Sequence, residues 1–352
     1  MNITFFIGNG FDINIGLNTQ YKDFLPYFKK NASKDNMIKG WIAEEEHLWS
    51  DLERKLGIEM NRLSDADLNR FYEDKDELDD LLSEYLIKQE ARIDEAKIQS
   101  MAGEFVRSLK EYKADLPVVR YQEVEKTLKS FVNEDYIYQF IVFNYTSIID
   151  KIVSVAEANG DISNHNAQNG VIRREAIGDV LHIHGTTESE MILGVNDISQ
   201  INNEALVEDI DLQNSMIKEN MNEGIGQNKV SITKSIIKNS HIIYIYGMSL
   251  GETDNMWWEA ILEWLKESDM NRLIYFAYTD NAKQIRKSPG KMNRETSRLV
   301  NEFLKRHSMT EEAERKIKKR IYVLFETSIF NFEKCKEKAK EIKEESQFVI
   351  EI

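Results

Sequence analysis

The chain has little cysteine and proline and fewer basic than acidic residues, and each shortage excludes something. One cysteine, Cys335, stands among 352 residues. No disulfide can form within the chain, and no cysteine-rich zinc ribbon can be built. Both facts suit a reducing cytoplasm, which is the expected location. Three prolines impose few breaks on helices, in keeping with a helix-rich fold. Acidic residues outnumber basic ones, 61 against 46, for a formal net charge of −15. Proteins that coat DNA or RNA normally need a basic face, so nucleic acid is not the expected partner. No apolar run is long enough to span a bilayer, and the start MNITFF lacks a basic region and a cleavage site. Neither a membrane span nor a signal peptide is expected. With 41% hydrophobic and 30% charged residues, the chain has material for a real core beneath much solvated helix surface.

What is present begins at residue 2. Short runs rich in Ile, Val, Tyr and Phe occur at Ile3–Ile7, Tyr138–Phe143, Val180–Ile183, His241–Tyr246, Arg272–Tyr278 and Ile321–Phe325, separated by helical segments. Near-continuous apolar runs suit parallel strands covered on both faces, and their alternation with helices predicts a doubly wound α/β sheet. The first two strands are separated by a long helical insertion. In it Leu78, Leu82, Tyr85, Leu86, Ile93, Ile98, Met101, Phe105 and Leu109 approximate one apolar face. The expected organisation is a core of residues 1–20 and 136–330, a helical cap over 21–135, and a charged C-terminal helix over 331–352. A second insertion, about Asn196 to Gln227, reads as a polar loop with a helix. Ser50-Asp51-Leu52-Glu53 has the form of a capping box, which makes Glu53 structural. The five tryptophans are assigned to packing.

Four strand ends carry candidate chemistry. Gly8-Asn9-Gly10-Phe11-Asp12 follows the first strand, where glycines let a backbone approach a phosphate or ribose and aim amide N–H groups at it. The third glycine of a full dinucleotide fingerprint would stand at position 13, which is Ile13. Phe143-Asn144-Tyr145-Thr146 ends the second strand. Asn144 there either holds a ribose hydroxyl or a water, or caps the following helix. Leu181-His182-Ile183-His184-Gly185 ends another strand. His184, just before a glycine, is placed to act as a base, whereas His182 is assigned to a hydrogen-bonded core position. No HxxxH or CxxC accompanies them, so no metal is expected. Finally, Gly247-Met248-Ser249-Leu250-Gly251 satisfies G-x-S-x-G, with Asp280 and His307 in the order of a serine hydrolase.

In this order GNGFD, GLNTQYKDF, WSDLE, FNYT, HIHG and YGMSLGETD resemble the AbiH-type abortive-infection family of bacterial phage defence, over nearly the whole chain. That family is regarded as related to the sirtuin-like Rossmann folds of many defence proteins. The resemblance implies a Rossmann-like, mostly parallel sheet with a large helical insertion. It sets Gly8, Asn9, Gly10, Phe11 and Asp12 at a nucleotide phosphate loop. Asn144 then serves ribose chemistry beside Tyr145 and Thr146, His184 is the catalytic histidine, and Gly247, Ser249 and Asp254 close the nucleotide site. A zinc-dependent deacetylase is not expected, because the four-cysteine zinc module of sirtuin deacetylases is absent. The implied function is an antiphage effector that binds NAD or a related nucleotide and hydrolyses its N-glycosidic bond. A nucleotide-binding sensor or toxin scaffold without turnover is the alternative, and a serine hydrolase is the third. A phage-derived trigger, and self-association through the long amphipathic arm, complete the expected partners.

Overall fold

The computed structural model describes residues 1–306 and 309–332. His307, Cys335 and the expected C-terminal helix from residue 333 onward lie outside the described residues. Seven strands form one sheet: β1 (Asn2–Ile7), β2 (Tyr136–Val142), β3 (Ser163–Asn166), β4 (Ile172–His182), β5 (Ile242–Tyr246), β6 (Arg272–Phe276) and β7 (Ile321–Leu324). Their order across the sheet is β3-β4-β2-β1-β5-β6-β7. Every pairing is parallel except β3 with β4. The chain therefore builds outward from β1 through β2 and β4, then restarts at β5 on the other side of β1. Open α/β sheets place a crevice at such a switch point, outside the carboxyl ends of the strands.

Alternation in the strands explains the layers. Ile3, Phe5 and Ile7 join Tyr138, Phe140, Val142 and Tyr244 in a core on one face, under the helices Glu95–Glu111 and Ile148–Ala158. Phe6, Ile141, Ile243 and Ile245 face the other way, into a core with Trp257, Trp258, Trp264 and Phe303 from the helices Asn255–Glu267 and Pro289–Leu304. A strand with apolar side chains on both faces is stable only when both faces are covered, so the runs read from the sequence become inner strands.

The expected insertion over 21–135 divides between two cores. Helices Tyr21–Asn31, Met37–Glu44, Leu52–Glu59 and Leu68–Glu90 form a third core together with Leu193, Val195, Leu206, Leu212 and Met216 from the second insertion. The apolar stripe is split: Leu78, Leu82, Tyr85 and Leu86 enter this cap core, whereas Ile98, Met101, Phe105 and Leu109 pack on the sheet. A turn at Ala91–Ile93 separates the two helices, so one periodic stripe serves two surfaces. The sheet also exceeds expectation at one edge. β3 and the first half of β4 are polar and form an antiparallel hairpin, with Gly170 at φ 77° in its turn. Such segments carry no apolar run to reveal them.

Backbone hydrogen bonds join the ends of β1 and β5. The amide of Gly8 donates to the Tyr246 carbonyl at 2.9 Å and that of Gly10 to the Gly247 carbonyl at 2.8 Å. A Cβ on Gly10 would lie 2.5 Å from the Cα of Gly247, and Gly247 itself has φ 71°. Both glycines are required by this close approach. Among the described residues no helix is long and apolar enough to cross a membrane.

Two glycine substitutions separate close approach from mere flexibility. Gly10→Ala should destabilise the fold by about 2–3 kcal/mol through overpacking. Gly103→Ala, in the helix Glu95–Glu111 with nothing within 4 Å of its added Cβ, should stabilise by about 0.5–1 kcal/mol. Denaturant unfolding midpoints of the two variants should move in opposite directions. A shared direction would contradict this assignment.

Candidate functional site

Register brings the strand ends level. Ile7 is opposite Val142 and Tyr246, and Val142 is opposite His182. The residues that leave these strands therefore meet at one edge, where they enclose a cavity of about 300 Å³ beneath the cap. Gly8, Asn9, Asp12, Asn144, Tyr145, Thr146, His184, Gly247, Ser249 and Asp254 line it. So do Thr19, Tyr21, Ser50, Asp51, Glu53, Leu82, Leu86 and Lys218 from the chain outside those motifs. Gly10 and Phe11 do not. Phe11 is fully buried and its ring meets Tyr246, Phe330 and Phe332 edge-on, which anchors the short helix Gly10–Asn14 to the sheet. No tryptophan lines the cavity.

The phosphate-loop expectation changes in its donors. The amides of Gly8 and Gly10 are committed to the Tyr246 and Gly247 carbonyls at the exit of β5, and the Asn9 side chain is held by Thr19. These glycines serve strand-to-strand approach instead of presenting amides to a diphosphate. The G-x-S-x-G segment also departs from a nucleophile elbow, which is a strained turn leading straight from strand to helix. Ser249 lies in a loop, the turn Glu252–Asp254 intervenes, and the helix starts at Asn255. Among the described non-glycine residues only Phe330 has positive φ, so Ser249 is not in a strained conformation. Asp280 accepts a hydrogen bond from the exposed Tyr278 hydroxyl.

His184 and Asp254 form the centre of the site. The His184 Nε2 lies 3.0 Å from Asp254 Oδ1. Burial, aided by the Lys218 charge, lowers the His184 pKa below its ordinary value despite Asp254. Burial pushes the Asp254 carboxyl up, but the Lys218 ammonium and the His184 bond outweigh it and hold it well below the carboxylate range. A neutral imidazole facing an ionised carboxylate places its proton on Nε2, so the lone pair is on Nδ1. That Nδ1 is buried without a partner.

Lys218 comes from the insertion read as a polar loop, at the start of the helix Lys218–Gly224. Its ammonium donates to Glu53 Oε2 at 2.9 Å, to Asp254 Oδ1 at 3.1 Å and to the Thr253 carbonyl at 3.2 Å. Burial lowers its pKa, but the two carboxylates overcome this and raise it above the ordinary value. Tyr145 donates to Glu53 Oε1 at 3.2 Å. Glu53 is therefore part of the site and not of a capping box. The helix starts at Leu52, so Asp51 is the cap and accepts from the Arg54 amide at 3.2 Å. The polar insertion gave no pattern pointing to Lys218, whereas the WSDLE match did mark the stretch that contains Glu53.

Asp12 and Asn144 complete the ring. Thr146 donates to Asp12 Oδ2 at 2.7 Å, while Asp12 Oδ1 and Asn144 Oδ1 are buried without partners. Burial raises the Asp12 pKa to about 7 against the pull of Thr146 and Asn144. His182 holds the expected core position: its Nδ1 meets the Asn144 carbonyl at 2.9 Å and its Nε2 meets Asp150 at 2.7 Å. Both partners are acceptors, so both bonds form only when the ring carries two protons.

The family model described as bacteriophage abortive infection AbiH matches residues 4–276, which span the sheet from β1 to β6, the cap and every residue of the cavity. No curated protein and no solved structure matches the chain.

Asp12 makes stability depend on pH. A carboxyl whose folded pKa lies above its unfolded value of 3.8 binds its proton more tightly in the folded chain. Its contribution is complete below that value and is lost as the pH rises through about 7, a change of about 4 kcal/mol for a shift of this size. Asp12→Asn, which cannot ionise, should raise the melting temperature above wild type at pH 8 by a few degrees, with a smaller gap at pH 5. A gap that is constant, or wider at pH 5, would contradict a buried Asp12 carboxyl.

Proposed function

The chain belongs to the AbiH family of bacteriophage abortive-infection proteins, and on that premise we propose that its cavity binds a nucleotide, NAD in the first instance, and hydrolyses the N-glycosidic bond. One observation carries the proposal. Three buried acceptors without partners, Asp12 Oδ1, Asn144 Oδ1 and His184 Nδ1, belong to side chains lining a single cavity. An unpaired buried polar atom costs about 1–3 kcal/mol, and a ligand that donates hydrogen bonds removes that cost. Ribose hydroxyls are such donors.

Strand order supports the same view. Numbered along the chain, the six parallel strands lie as 3-2-1-4-5-6, the order of dinucleotide-binding α/β folds, with the cavity at the switch point. This favours a Rossmann-like and, through the family resemblance, a sirtuin-like ancestry.

In the proposed reaction the bond between ribose C1′ and the pyridinium nitrogen breaks. The bonding pair leaves with the ring, as neutral nicotinamide. Water oxygen adds at the electron-poor C1′, and its proton is released, giving ADP-ribose. Asn144 orients the water or a ribose hydroxyl. His184, neutral and with its Nε2–H on Asp254, accepts a proton at Nδ1. Carboxylates beside C1′ stabilise the developing positive charge. Loss of NAD would halt an infected cell.

Purified protein incubated with NAD, with and without lysate of phage-infected cells, tests this by nicotinamide release. Wild type should release nicotinamide, and His184→Ala and Asn144→Ala should each lower the rate by about 10²–10⁴-fold. An intact NAD pool under both conditions overturns hydrolysis. Saturable binding without release would instead assign the site to a nucleotide sensor.

A further inference from the structure

We propose that the cavity seats the ribosyl-pyridinium half of its ligand and no phosphate, so that its substrate class is the cationic N-riboside. This rests on the N-glycosidic reading above and narrows it. Nucleotide sites ordinarily hold phosphate with free cations or backbone amides. Here the ammonium of the lining and the amides of the two glycines in the GNG turn are already committed. Among the residues lining the cavity the permanent cation is Lys218, and arginine is absent. An ammonium has three donors. Those of Lys218 have Glu53, Asp254 and the Thr253 carbonyl as partners, all within 3.2 Å. The amides of Gly8 and Gly10 donate to the Tyr246 and Gly247 carbonyls at the exit of β5.

The charge of the lining points the same way. The carboxylates of Asp51, Glu53 and Asp254 face one ammonium, and Asp12 adds a fourth negative charge as the pH rises through about 7. A phosphate would meet a surplus of like charge, whereas a pyridinium ring would meet the opposite sign. The unpartnered buried side-chain atoms of the lining, Asp12 Oδ1, Asn144 Oδ1 and His184 Nδ1, are acceptors, which suits a diol better than a phosphate oxygen. Size agrees. At about 300 Å³ the cavity is at the lower end of ligand pockets, a size that suits a nucleoside.

The same arrangement gives selectivity between redox forms. The reduced dihydropyridine has the same skeleton as the oxidised ring and lacks its charge. A carboxylate-lined cavity distinguishes the two by charge alone.

Calorimetric titration of the full chain with four probes tests this: nicotinamide riboside, its reduced form, nicotinamide mononucleotide and inorganic diphosphate. The oxidised riboside should bind about tenfold or more tightly than the reduced one, the effect of one favourable charge contact in a partly dry site. The mononucleotide should gain nothing over the riboside, and diphosphate should not displace it. At pH 8, where Asp12 ionises, Asp12→Asn should narrow the gap between redox forms, and the wild-type comparison stands without it if that variant fails to fold. Equal binding of the two ribosides, a mononucleotide about tenfold tighter than the riboside, displacement by diphosphate, or no riboside binding each overturns the proposal. Release of nicotinamide from NAD without riboside binding would sink this inference and leave hydrolysis standing. Charge-selective riboside binding with NAD left intact would do the reverse.

Discussion

The close approach of Gly8 and Gly10 to Gly247 is the constraint on which the site depends. Two backbone hydrogen bonds and a lack of Cβ atoms bring the exits of β1 and β5 into contact. These strands carry Asp12 on one side and Ser249 and Asp254 on the other. β2 lies on the opposite side of β1 and ends level with it, so Asn144 and Thr146 emerge beside Asp12. A bulkier residue at either glycine would separate the loops and open the cavity between them. The glycines thus act through packing, and the nucleotide-loop appearance of GNGFD arises from the same geometric need that glycine meets in such loops.

Charge balance is the second constraint. A buried ammonium and buried carboxylates are each costly alone and tolerable only together. Lys218 binds the cap helix Leu52–Glu59 to the loop that carries Asp254, so the electrostatics of the site and the attachment of the cap are one system. By stabilising the Asp254 anion, the ammonium holds the His184 tautomer that leaves Nδ1 free to accept a proton. The cap is more than a cover, since it supplies Glu53, Lys218 and Tyr21 to the lining.

The strands that are buried on both faces were legible in the sequence, because burial on both faces leaves a continuous apolar run. The hairpin of β3 and early β4 was not, since its residues are polar and its pairing is with each other at the edge of the sheet. The apolar positions from Leu78 to Leu109 were legible as long packed helices, but not that the second helix leaves the cap for the sheet, because that depends on where the turn at 91–93 aims it. Asn144 and His184 were legible as strand-end residues and Asp254 through its motif, and the structure brings all three to one cavity. Glu53 was mistaken for a capping residue because the helix start lies one residue from where the pattern put it.

The sequence by itself determined which residues leave the carboxyl ends of the strands, since strand formation follows local apolar runs, and it determined the family through motifs in fixed order. Tertiary structure alone decided what those residues meet. Lys218 and Glu53 are 165 positions apart and pair only because two insertions share the cap core. The commitment of the Gly8 and Gly10 amides depends on β5 returning beside β1, more than 200 residues later in the chain. Local pattern has no access to either fact. Burial, partner choice and charge balance are properties of the packed chain, and they turn a set of strand-end motifs into one cavity whose lining carries buried acceptors without partners.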